Sequence, residues 1–211
     1  MTDARVDWLI VGLGNPGREY SNTRHNIGFV VAQALAQRWG LGKAKDRFRG
    51  RIAEGRLRAP DAPTSPAAHE PPSSPQTVAV LCPQTYMNDV GRSVGPARGA
   101  LKLALERVLV VHDEIDLPFG EVRARLGGGL AGHNGLKSIK RELGSADFAR
   151  VRVGVGRPNS TDPEIVSAYV LGRFRESDAQ VLELVDSACE SVQRVVLGQD
   201  AAHAPVIRGG S

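Results

Sequence analysis

The chain has 211 residues, enough for one full hydrophobic core, and its 41% apolar and 24% charged residues exclude wholesale disorder and a fibrous repeat. Its apolar runs are too short to span a bilayer, and residues 1–7 include acidic residues where a signal peptide would be basic. The two cysteines are too few for a disulfide scaffold and lack the spacing of a zinc site. We therefore expect a soluble, cytoplasmic protein, and a net charge of +4 is too small to identify a nucleic-acid partner by itself.

The first half of the chain predicts strands alternating with helices. Residues 8–13 predict a short buried strand, a loop covers 14–26, and Ile27, Val31, Ala34, Leu35 and Arg38 then recur at helical spacing. Residues 47–57 and 77–82 predict two paired strands. The segment between them, 58–76, is crowded with Pro, Ser and Ala, which favours a disordered insertion in the hairpin.

The second half continues this pattern. We expect a helix over 89–105, a strand over 108–111, a basic strand over 121–126, a helix containing Leu136, Ile139 and Leu143, and a strand over 151–155. Asp162 is placed to cap a short helix. A long amphipathic helix follows, since Ser177 and Gln180 form a capping box ahead of an apolar stripe.

Together these elements predict one α/β domain over residues 1–198, with a mixed, mostly parallel twisted sheet covered by helices on both faces, and a flexible tail over 199–211. In such folds the functional loops gather at the carboxyl ends of the strands. Asn15 follows the first predicted strand, and His112 and Asp113 follow the strand over 108–111.

Residues 12–17 match the GxGxxG pattern of dinucleotide-binding proteins, and they follow a predicted strand. That function needs a helix that opens at the glycines, whereas Pro16 and residues 18–24 delay the helix. An acidic residue for the ribose is also missing at the required distance. The alternative, a tight turn made by the glycines, leaves Asn15 unexplained.

Residues 91–95 match the GxSxG pattern of serine hydrolases, and Ser93, Asp113 or Asp116, and His133 occur in the order of that class. A nucleophile elbow needs a buried strand that runs directly into its first glycine. Here residues 84–89 intervene and the following residues have a helical pattern, so this function is disfavoured.

The segment His112-Asp-Glu-Ile-Asp116 places one imidazole and three carboxylates behind an apolar strand. Such a cluster suits a metal site, an acid-base site, or merely a solvated strand end. Because no spacing typical of zinc hydrolases occurs, we favour a carboxylate that orients a histidine and fixes its tautomer.

A basic surface is predicted beside a glycine-rich loop. Residues 127–135 lead into a helix whose N-terminus suits an anion, and Lys137, Lys140 and Arg141 share one face of that helix. Arg123 and Arg125, two apart on a strand, project to one side. Residues 121–157 contain eight basic and three acidic residues, which favours contact with phosphates over a simple solvated face.

Six segments taken in order (12–17, 23–28, 85–88, 112–116, 127–136 and 151–158) closely resemble motifs of the bacterial peptidyl-tRNA hydrolase family. The resemblance covers the chain from Trp8 to about Leu197. It implies a monomeric, metal-free enzyme without a cofactor, an obligate protein partner or a membrane, which hydrolyses the ester of peptidyl-tRNA.

The resemblance also assigns roles to individual residues. His25 corresponds to the general base and Asp113 to its carboxylate partner. The implied polar groups around the ester and peptide are Asn15, Asn88 and Asn134. The implied lining residues of the cleft are Tyr20 and Met87. The implied cations for the tRNA are Arg125 and Arg152.

The implied chemistry suits these residue types, because an ester has a fair leaving group and a near-neutral imidazole that activates water contributes roughly 10²–10⁴ in rate. Three positions depart from the family pattern: Ala131 stands for Gly, Arg125 stands for Lys, and 58–76 is extra. A serine hydrolase and a catalytically silent RNA-binding protein remain the alternatives.

Overall fold

The computed structural model describes residues 5–57 and 75–200, which form one seven-stranded mixed sheet. In chain order the strands are β1 (Trp8–Gly12), β2 (Lys45–Arg47), β3 (Gly50–Leu57), β4 (Gln76–Pro83), β5 (Val108–Glu114), β6 (Val122–Leu126) and β7 (Ala149–Gly154). Their order across the sheet is β2-β3-β4-β1-β5-β7-β6.

The four central strands, β4, β1, β5 and β7, run parallel, and the outer pairings β2/β3, β3/β4 and β6/β7 are antiparallel. The expected mixed α/β sheet is therefore confirmed, although its parallel share is smaller than expected. Strands β1 and β5 are buried along their whole length, which is typical of central parallel strands covered on both faces.

In the part of the chain that the structure describes, five α-helices surround the sheet: α1 (Ile27–Arg38), α2 (Gly91–Leu101), α3 (Asn134–Leu143), α4 (Pro163–Val170) and α5 (Asp178–Val196). One face of the sheet is covered by α1 and α5, whose Val31, Leu35 and Val192 join one core cluster. The other face is covered by α2 and α3, where Val94 and Ile139 belong to a second cluster. Two core layers therefore sandwich the sheet.

Some predicted boundaries were wrong. The single strand expected over 47–57 is two strands, because Phe48 and Arg49 both adopt positive φ angles, 55° and 51°, and turn the chain back. Strand β5 continues through Glu114, so His112 and Asp113 lie within the strand rather than after it. The loop over 14–26 contains two short 3-10 helices, Arg18–Tyr20 and Arg24–Asn26, and α2 ends at Leu101.

Both predicted caps are present: Asp162 accepts from the backbone at the start of α4, and Ser177 and Gln180 form the capping box of α5. The insertion predicted over 58–76 lies largely outside the described residues, and Gln76 itself begins β4. Most of the tail predicted over 199–211 also lies outside them. Within the described ranges, no helix has the length and apolarity to cross a bilayer.

Candidate active site

Two glycines bring α1 onto β1 at the start of the site. A Cβ atom on Gly12 would lie 2.2 Å from the carbonyl oxygen of Gly28, and one on Gly28 would lie 2.4 Å from the backbone nitrogen of Leu13. Only residues without a side chain permit this approach. The first glycine of the GxGxxG pattern thus serves the packing of a helix on a strand.

The loop between β1 and α1 is closed by a reciprocal pair of hydrogen bonds. The Asn15 N–H donates to Asn26 Oδ1 and the Asn26 Nδ2 donates to the Asn15 carbonyl, both at 2.9 Å. Asn26 also ends the 3-10 helix Arg24–Asn26, which carries His25. The position of His25 relative to the end of β1 is therefore fixed by buried polar contacts.

The carboxylate of Asp113 receives two imidazoles. His25 Nδ1 lies 2.9 and 3.0 Å from the two oxygens of Asp113, and His133 Nε2 lies 3.1 Å from Oδ1. His133 Nδ1 accepts from the backbone N–H groups of Gly135 and Leu136 at the start of α3, so its proton resides on Nε2. Asp113 thus accepts from both rings. In the neutral form of His25, the proton is then on Nδ1 and the lone pair is on Nε2.

The charges of this cluster follow from its burial and contacts. Burial raises the pKa of the Asp113 carboxyl, but the attraction and hydrogen bonds of His25 and His133 outweigh it and hold that pKa far below its usual range. Burial lowers the pKa of His25, yet Asp113 outweighs this and sets it above the ordinary 6.5. His25 remains reachable, since 12% of its side chain is exposed.

A third imidazole, His112, lies behind the cluster on β5. Its Nδ1 donates to the Asp113 carbonyl at 2.7 Å, and its Nε2 has no partner among the described residues. Burial and the neighbouring His133 lower the pKa of His112 to about 3. His112 is therefore a neutral part of the core, in contrast to His25.

His25 and three asparagine side chains line one cleft of about 840 Å³. Asn15 Oδ1 accepts from the backbone N–H of Met87 at 2.8 Å, so its Nδ2 donor remains for a ligand. The same cleft is lined by Asn88 and Asn134, which are both exposed, and by the buried Met87. These donors can stabilise a developing oxyanion without competing for the proton.

The structure brings together seven of the predicted site residues in this cleft: Asn15, His25, Met87, Asn88, Asp113, Asn134 and Lys137. Tyr20 is not among the residues that line it. Three features of the cleft were not predicted from the sequence. They are the contact of His133 with Asp113, the position of Tyr86 in the lining, and the wall formed by α4. The capping position of His133 ahead of α3 was the available signal for the first of these.

The predicted basic residues differ in how free their charges are. Arg125 is exposed, as are Lys137 and Lys140 on α3. Arg152 instead pairs with the buried carboxylate of Glu114 at 2.9 Å, and Arg141 contacts the Asn88 carbonyl at 3.1 Å.

Arg150 is buried and donates to the carbonyls of Gly128, Gly129 and Ala146. Burial and the charges of Arg125 and Arg152 lower its pKa to about 10. The arginine therefore holds the glycine-rich loop in place, and the free charge of this surface is carried by its neighbours.

The competing sites are not formed. Ser93 is fully buried within α2, so it cannot act as an exposed nucleophile. Residues 12–17 lead into a 3-10 helix, and α1 opens only at Ile27, so no helix N-terminus meets a pyrophosphate. Burial raises the pKa values of the free thiols of Cys82 and Cys189 to about 12 and 11, which keeps both protonated.

His25, Asp113 and His133 also place three potential metal-ligand atoms within 4.8 Å of one another. A metal ion bound there would displace the ring protons that both histidines donate to Asp113. Asp113 contacts both rings at hydrogen-bond distances, which is the geometry that a carboxylate needs to orient a histidine.

Comparison with known proteins gives one consistent result. A family model described as Peptidyl-tRNA hydrolase matches residues 9–207. The peptidyl-tRNA hydrolase of Syntrophotalea carbinolica is 44% identical over 93% of each chain, and that of Bdellovibrio bacteriovorus is 43% identical over 90% of this chain and 93% of its own. The crystal structure of peptidyl-tRNA hydrolase from Acinetobacter baumannii has a TM-score of 0.69 at 33% identity, covering 93% of this chain and 96% of that one.

Proposed function

The chain belongs to the peptidyl-tRNA hydrolase family, and we propose that His25 is the general base when it hydrolyses the ester between a peptide and the 3′ end of tRNA. The observation that supports this role is the pair of contacts from His25 Nδ1 to Asp113, at 2.9 and 3.0 Å. They orient the ring so that Nε2 can accept a proton in the cleft.

The proposed reaction begins with a water molecule that lies against His25 Nε2. As the water oxygen attacks the ester carbonyl carbon, its proton moves to Nε2, and Asp113 stabilises the imidazolium that forms. When the tetrahedral intermediate collapses, the C–O bond to the ribose breaks and Nε2 returns the proton to the ribose oxygen. The products are tRNA and the carboxylic acid of the peptide, which then releases its proton to solvent.

We assign the amide side chains to the charge that develops on the carbonyl oxygen. The free Nδ2 of Asn15 and the amides of Asn88 and Asn134 are the candidate donors, and such donors contribute most in a site that excludes water. Amides also accept from a peptide N–H, whereas they give no counter-charge to a free α-ammonium. This favours N-acylated substrates over ordinary aminoacyl-tRNA.

The tRNA surface is proposed to consist of Arg125 with Lys137, Lys140 and Arg141. These exposed cations suit the phosphates of an acceptor stem. Arg152 contributes less, because Glu114 already neutralises it. We further expect the enzyme to act as a cytoplasmic monomer.

His25→Ala tests the assignment of the base. We expect hydrolysis of N-acetyl-aminoacyl-tRNA to fall by at least about 10² while tRNA binding persists. Retained turnover would remove His25 from this role. The same assay on the wild type distinguishes the hydrolase from a catalytically silent RNA-binding protein, because the latter would release no tRNA.

A further inference from the structure

We propose that Arg24 is a positioning residue that clamps α4, the outer wall of the cleft, to the turn that carries His25. The proposal rests on the function above, because the wall it describes lines the proposed catalytic cleft. Arg24 directly precedes His25, and only 3% of it is exposed. A buried guanidinium needs polar partners, and those of Nη1 and Nη2 share one segment of the chain, whereas Nε has none among the described residues.

Apart from its carbonyl, which accepts from the Ile27 N–H, Arg24 contacts the end of α4 and the residues that follow it. Its backbone N–H donates to the Gly172 carbonyl at 3.1 Å, and its Nη1 donates to the Arg173 carbonyl at 2.6 Å. Its Nη2 lies 3.7 Å from the Glu176 carboxylate, and its guanidinium stacks 4.2 Å from the centre of the Tyr169 ring. Arg24 thus contacts four residues between Tyr169 and Glu176, one through its backbone and three through its guanidinium.

Helix α4 itself has little other attachment, although the chain after it also pairs with Thr23 at Arg173 and packs Phe174 against Phe119. Val170 is its one buried residue, whereas eight residues of α5 are buried. A further tie is the Tyr169 hydroxyl, which donates to the Val155 carbonyl at 2.8 Å. Because hydrophobic burial scales with the area removed from water, apolar packing holds α4 far more weakly than it holds α5.

The wall matters for binding because α4 presents Val166, Ser167 and Val170, and then Leu171, to the same cleft as Met87. These side chains are placed to contact the acyl or peptide part of a substrate. The contact between His25 and Asp113 involves none of these atoms. Loosening the wall should therefore weaken substrate binding while the proton transfer at His25 is retained.

Arg24→Met, which keeps an unbranched stem as far as the position of Nε but removes the charge and the donors, tests this separation. We expect KM for N-acetyl-aminoacyl-tRNA to rise about tenfold, the low end for loss of a charge-assisted hydrogen bond, with kcat changed less than about threefold. The acid limb of the pH profile of kcat/KM should stay in place, since Asp113 still sets the pKa of His25.

The matched control is Arg173→Met. It also removes one positive charge, from the segment that the clamp holds, but the exposed Arg173 side chain is not part of the clamp. Its KM should stay within about twofold of the wild type. A second variant, Glu176→Gln, leaves Arg24 in place and removes one tie, so a smaller rise in KM is expected. That variant decides the question if Arg24→Met does not fold.

Three results would overturn the proposal: an unchanged KM in both clamp variants, an equal rise in Arg173→Met, or a fall in kcat with a shifted acid limb and an unchanged KM. The last would mean that Arg24 acts on His25 rather than on the wall. Failure of the proposed function is a separate result, because it would appear as an active His25→Ala enzyme.

Discussion

Replacing Asp113 by asparagine keeps the size of the side chain but turns one of its two acceptor oxygens into an NH₂ donor that lies beside an imidazole N–H group. If the amide oxygen takes the place of Oδ1, the NH₂ group lies about 3.0 Å from His25 Nδ1. If it takes the place of Oδ2, the NH₂ group faces His133 Nε2 at 3.1 Å. His133 cannot change its tautomer cheaply, since the backbone of α3 donates to its Nδ1.

Either orientation sets two donors against each other or turns the lone pair of His25 away from the cleft. An unsatisfied buried donor costs about 1–3 kcal/mol, and the lost charge-assisted bond to the imidazolium costs about 1.5–3 kcal/mol. At 1.36 kcal/mol for each factor of ten, kcat should fall by about 10²–10⁴.

Single-turnover hydrolysis of N-acetyl-aminoacyl-tRNA at saturating enzyme measures this loss without a contribution from KM. Asp46→Asn, on the exposed edge strand β2, is the matched control and should retain the wild-type rate. A kcat for Asp113→Asn above about a tenth of the wild-type value would refute the paired-donor reasoning.

Four further outcomes are expected. Because Asp113 raises the pKa of His25 and a general base must be neutral, kcat/KM should fall as the pH drops, with a midpoint above 6.5; a midpoint at or below that value would contradict the assignment. His112 is buried with a pKa of about 3, so the unfolded state takes up its proton first and the free energy of unfolding should decrease as the pH falls below 6.5; His112→Asn should weaken this dependence in denaturant titrations, and an unchanged slope would count against it. Arg125→Ala should reduce the slope of log binding constant against log salt by roughly 0.7–0.9, and an equal slope would remove Arg125 from the interface. Ser93→Ala should keep full activity and the wild-type enzyme should resist fluorophosphonates, whereas labelling would revive the serine mechanism.

The sequence predicted the central part of the fold because its signals are local. Alternation of apolar runs with helical spacing located β1, α1, β5 and α5, and the cap at Ser177 located the start of the last helix. The turn at Phe48 and Arg49 was missed, since positive φ angles at two residues other than Gly, Asn or Asp leave no local signature. Antiparallel pairing at the edges likewise depends on how distant strands meet.

Residues whose role follows from the type of side chain could be predicted from the sequence. Residues whose role depends on contact with a distant residue were harder to predict. Asp113 and His25 are 88 positions apart, and their contact agrees with the predicted carboxylate and imidazole. His133 was considered only for a serine hydrolase, because its link to Asp113 requires the approach of α3 to β5. Arg152 was expected to be free for tRNA, and its pairing with Glu114 arises from the register of β5 with β7.

Both edge strands of the sheet carry charged side chains, and these charges oppose edge-to-edge association between copies of the molecule. Strand β2 exposes Lys45, Asp46 and Arg47 along one border, and β6 exposes Arg123 and Arg125 along the other. An unpaired strand is a template for a further strand, and charged side chains make such addition unfavourable. The arginines of β6 would then have two effects: they repel a second sheet, and they leave the border open to a polyanion that needs no strand to bind.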